Sequence, residues 1–339
     1  MYQTHGFYVS PVALPLEEGG LLGAARLAWC AYGERSEDNV VVLLHDLPHS
    51  HHALHPAGQD AGPHSGWGSE LLGEGRPLDT AALHVVVPNL LGSPFGSTSP
   101  VAVDPHVGRP YGAALPTVTV LDMARGVAAL LRSMKVERVR AVVGVGLGGL
   151  VALRLAALFA ERVAGVAVLG AARTLPESLR ERLGLTRHLL RLDPDFQDGH
   201  YAPGAGPRRT LRKQTLEYLR LVHGPGGEDP HATRVLEAEA QTLADGFDAN
   251  AWALLCTAYA GADLTECLAE VRAPVLLAAA ANDALAPPAR VRDTYHLLSA
   301  AGIRAHYHEL PEPCSHQGLL AGCSRRLHGP LRDFVRRRG

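Results

Sequence analysis

A short glycine-rich stretch in the middle of the chain constrains its fold more than any other feature. Residues 141–149 are Ala-Val-Val-Gly-Val-Gly-Leu-Gly-Gly, so an apolar strand must turn sharply into a helix that begins near Leu147. This layout is that of a nucleophile elbow, in which a G-x-S-x-G motif holds a serine at the apex of the turn. Gly144 and Gly148 keep the flanking glycines, but Gly146 stands where the serine would be. The chain therefore cannot form an acyl-serine at position 146.

Short apolar runs alternate with helical patterns on both sides of this stretch. The runs predict an early strand at 22–32 and buried strands at 40–44, 84–88, 139–145, 163–169, 275–280 and 306–310. Helical patterns cover residues 118–134, 147–160, 288–301 and 316–338. Such alternation predicts an α/β fold with a mostly parallel central sheet and helices on both faces.

Residues 174–270 depart from this alternation. They are rich in Arg, Leu and Glu, carry helical patterns, and contain no apolar run typical of a strand. We therefore expect a core formed by residues 1–173 and 271–339. Residues 174–270 are expected to be inserted as a helical cap over the sheet edge that carries the elbow.

The overall composition excludes several classes of function. The formal net charge is −2, without a block of like charge, which argues against nucleic-acid binding. No apolar run reaches the roughly 18 residues that span a membrane, and the N-terminus lacks a signal-peptide pattern. The five cysteines are odd in number and widely spaced, as is typical of reduced thiols. We expect a cytoplasmic protein with a small-molecule substrate.

Two residues in the C-terminal half are placed to work with the elbow. Serine-type triads on such scaffolds follow the chain order nucleophile, acid, histidine. Asp283 follows the strand at 275–280, and His316 follows the strand predicted to end at Leu310. Taken alone, Asp283 is better explained as a helix N-cap and His316 as an ordinary loop histidine. Taken together with the elbow, they predict a dyad in which the acid orients the imidazole and stabilises its charged form.

Further motifs lie between residues 88 and 252, and the resemblance that they carry covers about residues 20–330. They are Pro88-Asn-Leu-Leu-Gly92 with Gly96-Ser-Thr-Ser-Pro100, Gly108-Arg-Pro-Tyr-Gly112, Leu115-Pro116-Thr117 with Asp122, and Phe247-Asp-Ala-Asn-Ala-Trp252. With the dyad, these motifs resemble the homoserine O-acetyltransferase family of α/β-hydrolase-fold enzymes. Leu115 replaces the phenylalanine that is usual there. The family's elbow is usually G-G-S-M-G-G, so Gly146 is the main departure from its pattern.

The resemblance implies an α/β-hydrolase fold, an acyl-CoA co-substrate with no other cofactor, and a homodimer formed through the cap helices. It places the oxyanion-hole donors at the backbone N–H groups of Leu47 and Leu147, which survive any change of side chain. It also places Arg187 and Tyr111 in the substrate site. Arg187 would hold a substrate carboxylate with its guanidinium fork.

A histidine-rich loop follows the first buried strand. Its histidines are His45, His49, His51, His52, His55 and His64. Imidazoles at this density can bind zinc or nickel. However, no helix places two histidines at i and i+4 beside an acid, and the resembling family has a variable insertion here. We expect no metal site, and we expect Trp67 to pack rather than to catalyse.

Gly146 leaves three hypotheses open for function. The first is an enzyme of specialised metabolism in which His316, oriented by Asp283, acts as general base or acid without an acyl-enzyme. Its reaction would be direct acyl transfer, or a cyclisation, elimination or rearrangement. The second hypothesis is an inactive pseudoenzyme that serves as a binding or scaffold partner. The third is an engineered serine-to-glycine variant of an ordinary O-acetyltransferase.

Overall fold

A central eight-stranded sheet organises the computed structural model, which describes residues 2–54, 64–202, 204–224 and 229–337. In chain order the strands are β1 (Gln3–Val9), β2 (Leu14–Pro15), β3 (Leu21–Leu22), β4 (Arg26–Tyr32), β5 (Val40–Leu44), β6 (His84–Pro88), β7 (Ala141–Val145), β8 (Val166–Leu169), β9 (Val275–Ala280) and β10 (Ala305–Leu310). Their order across the large sheet is β1-β4-β6-β5-β7-β8-β9-β10, while β2 and β3 pair separately.

The sheet is mostly parallel, as the sequence predicts. The five strand pairs from β6 to β10 are parallel, whereas β4 pairs antiparallel with both β1 and β6. The predicted strands at 40–44, 84–88 and 275–280 are confirmed residue for residue. The other predicted strands shift or shorten at their first residues; the elbow strand, for example, begins at Ala141.

Nine helices occur within the described ranges. They are α1 (Val120–Ser133), α2 (Leu147–Leu158), α3 (Glu177–Gly184), α4 (Thr186–Arg191), α5 (Arg208–His223), α6 (Pro230–Gly246), α7 (Ala249–Gly261), α8 (Pro288–Ala300) and α9 (Arg325–Arg336). Alternate residues of β5 enter two different apolar clusters: Val42 joins residues of α1 and α2, and Val41 joins residues of α9. Helices therefore cover both faces of the sheet, because successive side chains of a strand point to opposite faces.

Two sequence predictions at the ends of the chain are wrong. The predicted helix over 316–338 is instead two short 3₁₀ turns followed by α9, which begins at Arg325. Gly322 interrupts the pattern with a φ of 36°, which side chains rarely adopt. At the other end, β1 was not predicted because it is an edge strand whose residues are exposed or half-buried.

The segment 174–270 is helical in the structure. It holds α3 to α7 and a 3₁₀ turn at Cys267–Glu270, and no strand occurs in its described residues. Tyr218 of α5 and Phe247 pack edge-on against Trp252 of α7 and form its aromatic centre. All five cysteines are free thiols in this structure. Over the described ranges, each helix is too short or too polar to cross a membrane.

Candidate active site

The predicted elbow connects β7 directly to α2. Gly146 stands at its apex with φ 51° and ψ −119°. A side chain held in such a conformation costs on the order of 1–3 kcal/mol, whereas glycine adopts it freely. The turn is also tight, because a Cβ atom on Gly144 would overlap the carbonyl oxygen of Gly148. These contacts confirm that the glycines leave room for the close approach of strand and helix.

The carboxylate of Asp46 occupies the space that a side chain at the apex would need. Asp46 follows β5, the neighbour of β7 in the sheet. A Cβ atom on Gly146 would overlap Asp46 Oδ1 and would lie 2.8 Å from Oδ2. Cβ atoms in proteins essentially never approach other atoms to within 3.0 Å. A side chain at 146 would therefore require the Asp46 carboxylate to move from its observed position.

Three groups surround the buried Asp46 carboxylate. The Leu147 N–H donates to Oδ1 at 2.8 Å, and the Tyr218 hydroxyl donates to Oδ2 at 2.7 Å. His316 Nε2 lies 3.4 Å from Oδ2. Burial alone would raise the pKa of Asp46, but the nearby His316 imidazole and the hydrogen bond from the Tyr218 hydroxyl hold that pKa below its usual range. One of the two predicted oxyanion donors, the Leu147 N–H, thus already binds a carboxylate.

His316 and Asp283 meet at the carboxyl edge of the sheet. Asp283 Oδ2 lies 2.7 Å from His316 Nδ1, and both side chains are buried. Asp283 Oδ1 accepts the N–H groups of Leu285 and Ala286 at 2.8 and 2.9 Å. These backbone bonds fix the carboxylate so that its other oxygen faces the imidazole. Asp283 is not a helix N-cap, because that position before α8 belongs to Pro287.

The His316 imidazole lies between two carboxylates. Burial alone would lower its pKa, but the charge and hydrogen bond of Asp283, together with Asp46, raise the pKa to about 10. The ring is therefore an imidazolium at neutral pH. Nε2 is buried 3.4 Å from Asp46 Oδ2, an ion-pair contact that lacks the direction of a hydrogen bond, so its proton can pass to a molecule bound beside it.

A cavity of about 170 Å³ lies beside these groups, between core and cap. The core contributes Asp46, His49, Trp67 and His316, and the cap contributes Tyr218 and Glu239. A space of this size suits a small molecule or the reactive end of a larger one.

The structure does not bring every predicted site residue to this cavity. Arg187 lies half-buried on α4, with its guanidinium 3.5 Å from the carbonyl oxygen of Ala113. Tyr111 is buried where the chain enters a 3₁₀ turn at Gly112–Ala114. Neither side chain lines the cavity above the elbow. Gly146, Leu47, Leu147, Asp283 and His316 do cluster at one edge of the sheet, while substrate binding by Arg187 and Tyr111 stays a prediction.

A histidine of the histidine-rich loop holds the backbone of Asp46 in place. The Leu90 N–H donates to His45 Nε2 at 3.0 Å, so His45 Nδ1 carries the proton and donates to the Asp46 carbonyl oxygen at 2.8 Å. Burial lowers the pKa of His45 to about 4, which keeps the ring neutral. His49 stacks on Trp67 at 5.3 Å, and the Trp67 indole donates to a loop carbonyl. Trp67 therefore packs, and it also forms one wall of the cavity.

One group in this region has the composition of a metal site. Ligand atoms of Cys30, His51 and His52 lie within 4.8 Å of one another. Thiolate and imidazole are ligands that zinc accepts. Burial raises the pKa of Cys30 to about 11, which disfavours the thiolate that a metal needs. His55 lies outside the described residues, and the absence of a metal stays a prediction.

Asp46 and Tyr218 were missed as site residues by the sequence reasoning. A signal for Asp46 was present, since an acid directly after a buried strand beside the elbow must lie at the same edge of the sheet. Tyr218 gave no signal, because it is one tyrosine on an amphipathic cap helix, 172 residues from its partner.

Comparisons with known proteins agree with the fold and with the resemblance. A model of the α/β hydrolase fold matches residues 39–320. The chain is 31% identical to an L-serine/homoserine O-acetyltransferase of Streptomyces lavendulae, over 97% of this chain and 96% of that protein. It is equally similar to a serine O-succinyltransferase of Stenotrophomonas maltophilia, over the same shares of the two chains.

Solved structures show the same architecture. A homoserine O-acetyltransferase from Bacillus anthracis superposes with a TM-score of 0.85 at 22% identity, covering 100% of this chain and 99% of that one. Esterase E22 superposes with a TM-score of 0.88 at 20% identity, covering 98% and 100%. At these identities the structures support the fold alone. The curated relatives, at 31% identity over nearly the whole chain, show that it belongs to the homoserine O-acetyltransferase family of the α/β-hydrolase fold.

Proposed function

We propose that this protein transfers an acyl group from a thioester to a small acceptor that carries a hydroxyl or an amine, without forming an acyl-serine. The observation that carries the proposal is the position of His316. Its Nδ1 is bound to Asp283 at 2.7 Å, and its Nε2 lies 3.4 Å from Asp46 Oδ2 and beside a cavity. The curated relatives, which are O-acyltransferases of serine or homoserine, supply the class of reaction.

His316 begins this reaction as an acid. When a nucleophile bonds to the carbonyl carbon of a thioester, the carbon–sulfur bond breaks, and the imidazolium can donate its Nε2 proton to the leaving sulfur. Once neutral, the ring can take the proton of the acceptor hydroxyl or amine. The base role expected from the sequence thus follows the acid role. Asp283 stabilises the charged ring in the first step and holds it in the same orientation for the second.

The cavity limits what the acceptor can be. A space of about 170 Å³ is large enough for an amino acid or a molecule of similar size. Serine and homoserine are the first acceptors to test, because the relatives' names give them. Acetyl-CoA and succinyl-CoA are the first donors for the same reason.

The test is an assay of purified full-length protein with each donor and acceptor pair. Release of CoA thiol and the mass of the acylated acceptor are both measured. We expect turnover that falls at least 100-fold in His316→Ala and is unchanged in Asp293→Asn, an exposed aspartate on α8. Absence of acylated product with every donor and acceptor pair would reject the proposal.

A pseudoenzyme is the second candidate, and one observation favours it. The Leu147 N–H, which is one of the two predicted oxyanion donors, already donates to the Asp46 carboxylate of the protein itself. A substrate oxyanion would therefore have to compete with Asp46 for this donor. For a binding protein, acyl-CoA should raise the thermal unfolding midpoint without being consumed. Consumption of the donor that depends on His316 would exclude this alternative.

A further inference from the structure

Asp46 Oδ2 lies between the apex of the elbow and His316, 2.8 Å from the place of a Cβ atom on residue 146 and 3.4 Å from His316 Nε2. We propose that Asp46 is the nucleophile of this site and that its Oδ2 atom takes the acyl group of a thioester as a mixed acyl–aspartyl anhydride. This inference rests on the acyl transfer proposed above. In this scheme Asp46, from the loop after β5, takes the role that a serine at the elbow after β7 would have.

The first support is position. Asp46 Oδ1 fills the place of a Cβ atom on residue 146, and Oδ2 lies 2.8 Å from that place. Oδ2 is also 3.4 Å from His316 Nε2. A single oxygen atom is thus close both to the apex of the elbow and to the imidazole, which are the two points that an attacking serine oxygen has to connect.

The second support is that the carboxylate is held in one orientation. The Leu147 N–H, at the start of α2, anchors Oδ1, and the Tyr218 hydroxyl anchors Oδ2. Tyr218 is itself fixed by edge-on packing against Trp252, with ring centroids 5.5 Å apart. A nucleophile positioned before substrate arrives avoids part of the entropic cost of reaching the transition state.

The third support is the proton count. A serine nucleophile carries a proton that its histidine must remove, so that histidine has to begin neutral. A carboxylate carries none. Because His316 is an imidazolium between two carboxylates, the proton needed by the leaving thiolate is already in the site.

The first step forms the bond between Asp46 Oδ2 and the carbonyl carbon of the thioester, with the electron pair coming from the carboxylate. The carbon–sulfur bond breaks, and the sulfur leaves as a thiol with the Nε2 proton of His316. The protein then holds an acyl group on Asp46 and a neutral imidazole.

The second step reverses these charges. The acceptor oxygen or nitrogen attacks the acyl carbon and gives its proton to His316 Nε2. The bond from the acyl carbon to Oδ2 breaks, and its electron pair returns to Asp46. The protein again has a carboxylate and an imidazolium, and the net reaction converts a thioester and an acceptor into an ester or amide and a thiol.

The same environment makes the anhydride short-lived. The groups that hold the pKa of Asp46 low also make it a good leaving group, since they stabilise the departing carboxylate. The intermediate therefore has to be detected by exchange and by trapping.

Two measurements on the full-length protein, made without an acceptor, test the inference. The first follows exchange of isotopically labelled CoA into acetyl-CoA or succinyl-CoA, which requires an acyl-enzyme. The second adds hydroxylamine and maps the protein by peptide mass spectrometry, because attack on the aspartyl carbonyl leaves a stable hydroxamate. We expect exchange and a donor-dependent hydroxamate at Asp46.

Variants separate this inference from the proposed function. Asp46→Asn keeps the size of the side chain and should lower exchange and transfer at least 100-fold, whereas Asp293→Asn should leave both unchanged. Acyl transfer without exchange, transfer that persists in Asp46→Asn, or a label on another residue would overturn Asp46 as the nucleophile while the transferase function stands. Absence of acyl transfer under all conditions would overturn both.

Discussion

The Oδ1 atom of Asp46 fills the space that the Cβ atom of any side chain on residue 146 would need. The two residues come from different loops, and a side chain at 146 would require the Asp46 carboxylate to move. Gly146 leaves a gap at the apex of the elbow, and Asp46 closes it with a carboxylate that takes the Leu147 N–H. The glycine at 146 and the position of the Asp46 carboxylate thus form a structural pair.

This pairing predicts how substitutions at the two positions combine. Gly146→Ser alone should lower the free energy of unfolding by about 2 kcal/mol or more, because it adds backbone strain and an overlap with Asp46. Adding Asp46→Ala removes the overlap, so the double variant should be more stable than Gly146→Ser. Urea unfolding of both variants and the parent measures this. Equal stability of Gly146→Ser and the parent would contradict the pairing.

Two buried tyrosines of the cap provide a matched test of the contact between cap and Asp46. Tyr218 donates to Asp46, whereas the hydroxyl of the equally buried Tyr259 has no hydrogen-bond partner in the described part of the chain. Tyr218→Phe should cost about 1.5–3 kcal/mol, as expected for a hydrogen bond to a charged acceptor. Tyr259→Phe should be nearly neutral. The two urea midpoints are compared directly, and equal losses would show that the Tyr218 bond contributes nothing specific.

The parts of the fold that the sequence could predict are those with a strong local pattern. Strands β5 and β9 are buried along their whole length, so their continuous apolar runs located them residue for residue. Strand β1 has no such pattern, because an edge strand alternates exposed and half-buried residues. The start of α9 was misplaced because Gly318 and Gly322 break a region that otherwise has helical composition.

The site residues likewise fall into those that the sequence could predict and those that it could not. Chain order was enough to bring Asp283 and His316 together at the edge of the sheet, where they form a hydrogen bond. The role of Asp46 could not be predicted, because it depends on the direction of one side chain towards a residue 100 positions away. Arg187 was assigned by resemblance alone, and its guanidinium lies beside the carbonyl oxygen of Ala113.

The charge of His316 gives a prediction about pH. Its pKa is raised to about 10 in the folded protein, whereas a histidine in an unfolded chain titrates near about 6.5. The stabilisation is therefore complete below about pH 6.5 and is lost as the pH rises towards 10. Between pH 7 and 8.5 the free energy of unfolding should fall by about 2 kcal/mol from this group.

Nuclear magnetic resonance of ring-labelled histidine checks this charge state directly. The His316 signals, assigned by their loss in His316→Gln, should remain those of an imidazolium at pH 8.5. Burial lowers the pKa of His45 to about 4 and of His49 to about 3, so these two rings should be neutral throughout and serve as internal controls. A titration midpoint for His316 at or below pH 6.5 would contradict the arrangement of one cation between two carboxylates.

The hydrogen bond between Asp283 and His316 predicts that Asp283 is needed for turnover. Asp283→Asn keeps the shape of the side chain but removes the charge that stabilises the His316 imidazolium, and comparable changes in serine hydrolases lower kcat on the order of 10⁴-fold. We expect a loss of this order in acyl transfer, with a lower pKa for His316 in the same variant. Asp293→Asn, in an exposed position on α8, is the control and should keep full activity. If Asp283→Asn retained more than about one tenth of the parent rate, His316 would not depend on Asp283 in the way that an oriented dyad requires.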